Sequence, residues 1–274
     1  MVVLGPLSAA VPETLVYHTT DTARHAQILI EVQRIRGRVY LEDGAIEEWQ
    51  LNGDGRHRVE IDDHSWHIVV FDHAGNVAGC QRYAPYPNSV RFAELGVSHS
   101  ALARSPQWRQ AVEAAVEAEI ALAGSRGIAL VEAGGWALTP QIRHSSAALI
   151  LALAPYSLAR ILGGCIGLGT ATQRHGSSSI LKRIGGRSLE WNGVAFPEYY
   201  DPQYRCQMEI LRFDSAQPNP KYESWIEEIG TELKASPVIS PTSSLERLRL
   251  AVGEPEVAIA AGDKPPGRAL SAAR

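Results

Sequence analysis

Cysteine is scarce in this chain, with only Cys80, Cys165 and Cys206 among 274 residues. They are odd in number, far apart and without a C-x-x-C pair, which speaks against a disulfide framework and fits a reducing cytoplasm. Long apolar runs are missing too. The longest, residues 147–164, is broken by Pro155, Ser157 and Arg160. It is too short and too polar to span a bilayer, so it reads as a buried core helix. There is no excess of positive charge: 26 Lys and Arg against 30 Asp and Glu leave a net charge of −4. That balance argues against general nucleic-acid or polyanion binding. The first residues, MVVLGPLSAAVPETL, are apolar but lack a basic n-region, so a short unstructured arm is expected over residues 1–19 rather than a signal peptide.

Several catalytic signatures are also missing. No G-x-S-x-G elbow occurs, against a serine hydrolase of that type. Gly167-Leu168-Gly169-Thr170 lacks a third glycine and follows no nucleotide-binding βα turn, so a Rossmann site is not expected. His64-Ser65-Trp66-His67 has no third His or Cys at ligand spacing, which leaves strand-edge histidines and no metal site. Cys165 and Cys206 lie in apolar strand contexts and read as core thiols.

What is present is enough for one large domain or two small ones. Helical periodicity over residues 22–40 carries an apolar stripe of Ile28, Ile30, Val32, Ile35 and Val39. Thr20 or Asp21 stands as cap, and Arg34, Arg36 and Arg38 lie at the far end. A polar loop follows at 51–58, then two strands at 67–71 and 77–83 around a turn. A second helix is expected over 107–123, a strand over 128–138, a helix over 145–162 and a strand over 165–172. A short helix at 177–184 ends on the C-cap signal Gly185-Gly186. Residues 189–196 and 207–213 read as a closing antiparallel pair. The class is α/β (mixed α+β), with strands and helices alternating in the middle of the chain. After Asp214 the character changes. Residues 225–233 suit a docked helix, and beyond about 235 the Pro, Ser and Ala content suits a mobile tail. The expected division is therefore an arm at 1–19, a domain at 20–214 and an extension at 215–274.

The run of residues 131–148, VEAGGWALTPQIRHSSAA, concentrates the chemistry. A buried strand carries one acid, Glu132, and Gly134-Gly135 leave its backbone bare for a ligand or a bulge. Thr139-Pro140 ends the strand, and the helix beginning near His144 presents free N–H groups suited to a phosphate or pyrophosphate.

Arg143-His144-Ser145-Ser146-Ala147-Ala148 at the end of this run resembles the acyl-CoA-binding motif R/Q-x-x-G-x-G/A of the GNAT N-acyltransferase superfamily. Ser146 stands in place of the first glycine and Ala148 fits the last position. The resemblance implies a central mixed, mostly antiparallel sheet flanked by helices, with the strand at 165–172 splayed from its neighbour to admit the pantetheine arm. Residues 174–189 are similar to the family's next helix, and 191–214 to its closing hairpin. Upstream, AGCQRYAPY from Ala78 resembles the Gly-Cys-x-Arg-Leu-x-Pro segment of acyl-homoserine-lactone synthases. VEAGGWAL resembles their Trp-Glu-x-Ser-Arg-Phe-x-Val segment, with Glu132 on the glutamate and Trp136 on the aromatic. Arg36-Gly37-Arg38-Val39-Tyr40 followed by Glu60, Asp62 and Asp63 is similar to their Arg-x-x-x-Phe helix end and acidic loop. Long-chain N-acyl amino acid synthases fit about as well. Gly135 falls where the lactone synthases keep arginine and Gly134 where they keep serine, which favours an acceptor other than S-adenosylmethionine.

The resemblance assigns roles residue by residue. Glu132 becomes the general base that takes a proton from the attacking amine, the alternative being an acid paired with a core arginine such as Arg82. Backbone amides near residues 136–138 would bind the oxyanion. Trp136 either packs in the core or lines an acyl tunnel. Arg36 and Arg82 would grip an acceptor carboxylate or hold the site together. Leu138, Arg143, His144, Ser145, Ser146, Ala147 and Ala148 would seat the donor. Ser177, Ser178 and Ser179 could return a proton to the thiolate or simply cap their helix, with Tyr199 and Tyr200 as other candidates. Arg174, Lys182, Arg183 and Arg187 form either a docking patch for an acidic carrier protein or a solvated helix face. The expected activity is transfer of an acyl chain from acyl-carrier protein or acyl-CoA to the amine of an amino-acid-like acceptor. Acyl-homoserine-lactone synthesis and a non-catalytic thioester-binding module are the alternatives. No cofactor beyond the donor, no nucleic acid, no stable membrane insertion and a cytoplasmic setting complete the expectation.

Overall fold

The computed structural model describes residues 1–7, 10–143 and 145–241. Helix α1 (Thr22–Glu42) opens at Asp21, whose carboxylate accepts the Arg24 N–H at 2.9 Å, satisfying one of the free donors of the first turn. Its buried stripe of Ile28, Leu29, Val32, Ile35 and Val39 packs on Leu4, Val69, Cys80, Ala137 and Ile239. The other helices are α2 (Ala101–Arg104), α3 (Arg109–Arg126), α4 (Ser146–Ile161), α5 (Ser177–Arg183) and α6 (Glu223–Lys234). The strands are β1 (Val2–Leu4), β2 (His18–Thr20), β3 (Trp66–Phe71), β4 (Val77–Tyr86), β5 (Ala129–Leu138) and β6 (Cys165–Thr172). They continue with β7 (Arg187–Ser188), β8 (Glu190–Trp191), β9 (Val194–Ala195), β10 (Tyr199–Asp201), β11 (Cys206–Asp214) and β12 (Val238–Ser240).

One sheet runs β10-β11-β6-β5-β4-β3-β1-β12-β2, with β7 also on β11; β8 and β9 form a separate hairpin. Most pairings are antiparallel; β5–β6, β1–β12 and β12–β2 are parallel. Alternation along the strands sorts the core onto two faces. Leu130, Ile166, Leu168 and Ile210 face α2 and α3, on the same side as α1. Val131 and Cys165 face α4 and α6 on the other.

The two ends of the chain depart from expectation. Residues 2–4 are no arm: Val3 and Leu4 are fully buried and pair with β3 on one side and β12 on the other. Residues 238–240 likewise form a buried strand where a mobile tail was expected. Both strands are only three residues long. Their partners come from the opposite end of the chain, so no local periodicity announces them. The docked helix expected at 225–233 is α6, while residues 242–274 lie outside the described residues. The closing pair also differs. Residues 189–196 are spent on the β8–β9 hairpin, and β11 pairs instead with β6, β7 and β10.

Candidate active site

β5 and β6 share four paired positions, the last being Glu132 with Leu168. Beyond it β5 stays on β4 as far as Leu138–Gly79, and β6 stays on β11 as far as Thr172–Met208. The two parallel strands therefore part and leave a V with unpaired inner edges. Within the V, β5 is bulged: Arg82 faces Gly134 whereas Cys80 faces Ala137, so β5 carries one extra residue. Gly135 makes this possible with φ of +65°. A Cβ at Gly135 would come within 3.1 Å of the Arg82 Cβ and 3.3 Å of the Arg36 Nη1, so a side chain there is crowded as well as strained by the left-handed backbone. After the bulge, the Thr139 N–H donates to the Ala78 carbonyl at 2.8 Å on the β4 side. Alternation then turns the Leu138 N–H toward the open side of the V. The Leu138 side chain itself is buried in the core over α4.

On the α1 and α3 face, the register Arg82–Gly134 and Ala84–Glu132 puts Arg82 and Glu132 side by side. Arg36 rises beneath them from α1. Its guanidinium is 1% exposed and donates to both oxygens of Asp62, at 2.9 and 2.5 Å, and to the His57 carbonyl. Of the two roles expected for Arg36, gripping an acceptor or holding the site together, the contacts seen are those of an internal ion pair with Asp62. Asp62 also accepts from Gln33, the Val59 N–H and, at 3.3 Å, Arg82. Burial alone would raise the Asp62 pKa, but the hydrogen bonds and charge of Arg36 outweigh it and hold the carboxyl well below the usual range. Burial pushes both His57 and His67 down to about 4, so both are neutral at pH 7. Arg36 and Arg82 thus share the one carboxylate of Asp62, and the Arg82 Nε is buried without a hydrogen-bond partner.

Glu132 is not paired with Arg82. Its Oε1 accepts the Val97 N–H at 2.8 Å, and its Oε2 accepts the Gly96 N–H at 2.8 Å and the Tyr86 hydroxyl at 2.7 Å. A carboxylate has about four acceptor sites, so one remains. The acid therefore anchors the turn Gly96–His99 to the sheet and keeps one lone pair for a further proton donor. Tyr86 and this turn are contacts the sequence reading missed. Alternation along β4 from Arg82 would have placed Tyr86 on the same face, whereas the turn lies 35 and 36 residues from Glu132 and left no local signal.

The mouth of the V is flanked by the start of α4 after β5 and by residues 174–176 after β6. Ser145 caps α4, its Oγ accepting the Ala147 N–H at 3.2 Å, and the Ala148 N–H turns back to the Ser145 carbonyl. Ser146 is exposed at the first turn, and His144 lies outside the described residues. Arg143 binds both carboxylate oxygens of Asp43, at 3.0 and 3.1 Å. Arg174 reaches the Asp43 carbonyl from the other lip, and the His175 Nε2 lies 3.4 Å from Asp43 Oδ1. A carboxylate from the end of α1 thus sits among cationic groups from both lips.

Trp136 packs against the α4-side core, with its indole Nε1 buried and unpartnered, and its carbonyl receives the Tyr40 hydroxyl at 3.4 Å. Ser178 donates to the buried Glu209, and Ser177 to the Arg174 carbonyl, so neither hydroxyl is free for a thiolate. Of the four cations offered as a carrier-docking patch, Lys182 is paired with Glu209 and Arg174 is bonded to backbone carbonyls. Among the described residues, no His, Cys, Asp and Glu cluster could hold a metal ion, and no helix is long and apolar enough to cross a membrane.

No protein-family model matches the chain, and no curated protein matches its sequence. Solved structures do match. The CoA-dependent acyl-homoserine lactone synthase BjaI, determined with SAM and isopentyl-CoA, superposes with a TM-score of 0.51 at 14% identity, over 86% of this chain and 97% of that one. The same synthase with MTA gives 0.51 at 13% identity with the same coverage. Another CoA-dependent synthase, MesI, gives 0.48 at 15% identity, over 82% of this chain and 99% of that one. The likeness to BjaI establishes a shared fold, a mixed and mostly antiparallel sheet flanked by helices, as the motif resemblance implied.

Proposed function

We propose that this chain is an N-acyltransferase that moves an acyl group from a thioester to the amine of an amino-acid-like acceptor. The observation that carries the reading is the Arg82 guanidinium, its Nε without a hydrogen-bond partner, beside Glu132 at the apex of the β5–β6 V. A thioester laid in the V has its carbonyl oxygen within reach of the outward Leu138 N–H, which polarises it and holds the oxyanion that forms on attack. The Arg82 cation suits the acceptor's carboxylate. Glu132, with its one spare lone pair, takes the proton as the amine nitrogen bonds to the carbonyl carbon. Collapse of the tetrahedral intermediate breaks the C–S bond, and the departing thiolate takes up the proton that Glu132 received, which restores the carboxylate. The cationic groups around Asp43 and the exposed first turn of α4 suit the donor's phosphates.

CoA is favoured over a carrier protein as donor, because two cations of the docking patch are engaged internally, Lys182 with Glu209 and Arg174 with backbone carbonyls. The BjaI structure binding isopentyl-CoA in the same fold supports that choice. Lactone synthesis is disfavoured by the bare, left-handed Gly135. The test is thiol release from a panel of acyl-CoAs and acyl-carrier proteins, each with a panel of amino acids. Amine-dependent release from acyl-CoA is expected, and its absence from every pair sinks the proposal.

A further inference from the structure

Directly under the apex of the V, on the face opposite Arg82 and Glu132, a cavity of about 40 Å³ lies between β4, β5, β6 and α4. Its lining reaches Ala133, the first β5 residue beyond the last β5–β6 pair, which brings it next to the V. Val131, Ala133 and Pro155 give it apolar walls. Polar side chains nevertheless line it, all more than nine-tenths buried: Gln81 at 5% exposure, Tyr83 at 1%, Tyr156 at 5% and Ser215, whose Oγ accepts the Cys165 N–H. The Gln81 Oε1 and the Tyr156 hydroxyl have no hydrogen-bond partner in the protein. The Tyr83 hydroxyl has the Cys165 thiol beside it as a polar neighbour.

Such groups are rare, since roughly nine in ten or more buried polar atoms find a partner. Each one left alone costs about 1–3 kcal/mol. An enclosure meant for a plain alkyl chain gains nothing from them, because aliphatic side chains would fill the same positions without that cost. Two of them, the Gln81 Oε1 and the Tyr156 hydroxyl, around one cavity point to a ligand that arrives with its own polar atom. Gln81 Oε1 only accepts, whereas a tyrosine hydroxyl either donates or accepts. A ligand hydroxyl answers both, donating to Gln81 and accepting from a tyrosine; a keto oxygen leaves Gln81 unanswered.

We propose that Gln81 and Tyr156 select an acyl group that carries a hydroxyl a few atoms from its carbonyl. The cavity volume corresponds to roughly three or four water-sized groups, so the acyl group is short. The inference rests on the acyl-transfer reading above and names the donor's substituent.

The test compares butanoyl-CoA and hexanoyl-CoA with their 3- and 4-hydroxy counterparts in wild type, Gln81→Leu and Tyr156→Phe. Two measurements are made on each: kcat/KM for amine-dependent thiol release, and calorimetric binding of the matching non-hydrolysable alkyl- and hydroxyalkyl-CoA thioethers. Wild type is expected to favour a hydroxyacyl donor by roughly ten- to a hundredfold, the equivalent of one buried group left unpaired. In each variant that ratio collapses toward one. Turnover of plain and hydroxylated chains at equal rates overturns the inference while acyl transfer stands. A binding preference that vanishes in the variants, with no turnover at all, upholds the cavity's role and removes the transferase reading. Equal binding of all thioethers overturns the inference whatever the turnover.

Discussion

Replacing Asp62 with asparagine tests the electrostatic core of the site. The carboxylate is less than 1% exposed at its side chain and serves both Arg36 and Arg82. Asparagine keeps the shape and one acceptor oxygen but removes the charge, leaving the fully buried Arg36 guanidinium with no counter-ion. Breaking a buried pair by removing one partner costs about 3–5 kcal/mol, because the remaining charge stays desolvated. Arg82, at 17% side-chain exposure, reaches solvent and adds less. For a chain of this size such a loss lowers Tm by about 6–20 °C. Urea titration followed by circular dichroism measures it directly. A second variant separates charge from packing. Asp62→Leu combined with Arg36→Met removes both ions, and should recover most of the loss, since apolar replacements of buried pairs are often neutral or stabilising. A loss below about 1 kcal/mol in Asp62→Asn, or a double variant no better than the single one, refutes the reasoning.

Other expectations follow from the same contacts. His67 has its pKa lowered to about 4 by burial, so the unfolded chain binds more protons than the native one between about pH 6.5 and 4. Stability should therefore fall as pH falls through that window, by up to about 3 kcal/mol from this residue, and His67→Gln should flatten the pH dependence of the urea midpoint. Gly135→Ala forces a side chain into left-handed backbone against Arg82, at a cost of about 1–2 kcal/mol for the backbone alone; an unchanged urea midpoint contradicts the bulge described here. Asp43→Ala frees Arg143 and removes a carboxylate competing for the donor's phosphates, so KM for acyl-CoA should drop several-fold in steady-state assays. A raised KM would instead make Asp43 a support for the donor turn.

The middle of the fold was legible in the sequence. β6 has the bounds its apolar run suggested, and β5 with its glycine pair was readable because strand, bulge and proline stop are local features. The terminal strands were not, since β1 and β12 are held by each other rather than by their own neighbours in sequence. The site divided the same way. Glu132 and Arg82 could be placed on one face from alternation alone. That Arg36 is neutralised by Asp62, 26 residues away, and that Glu132 holds the Gly96–His99 turn depend on tertiary packing. The cavity polar groups were invisible for a similar reason: Gln81 sits in an ordinary strand pattern and Tyr156 in an ordinary helix, and only their packing against each other's elements leaves the Gln81 Oε1 and the Tyr156 hydroxyl unpaired.

The central claim is that acyl transfer occurs at Glu132 in the β5–β6 V. Mass spectrometry of small molecules in cells overexpressing the wild-type chain or a folded Glu132→Ala variant tests it most directly. An N-acylated amine should accumulate with wild type and fall by roughly the 10²–10⁴ expected for loss of a general base in the variant. The same product at the same level from both chains, or none from either, contradicts it.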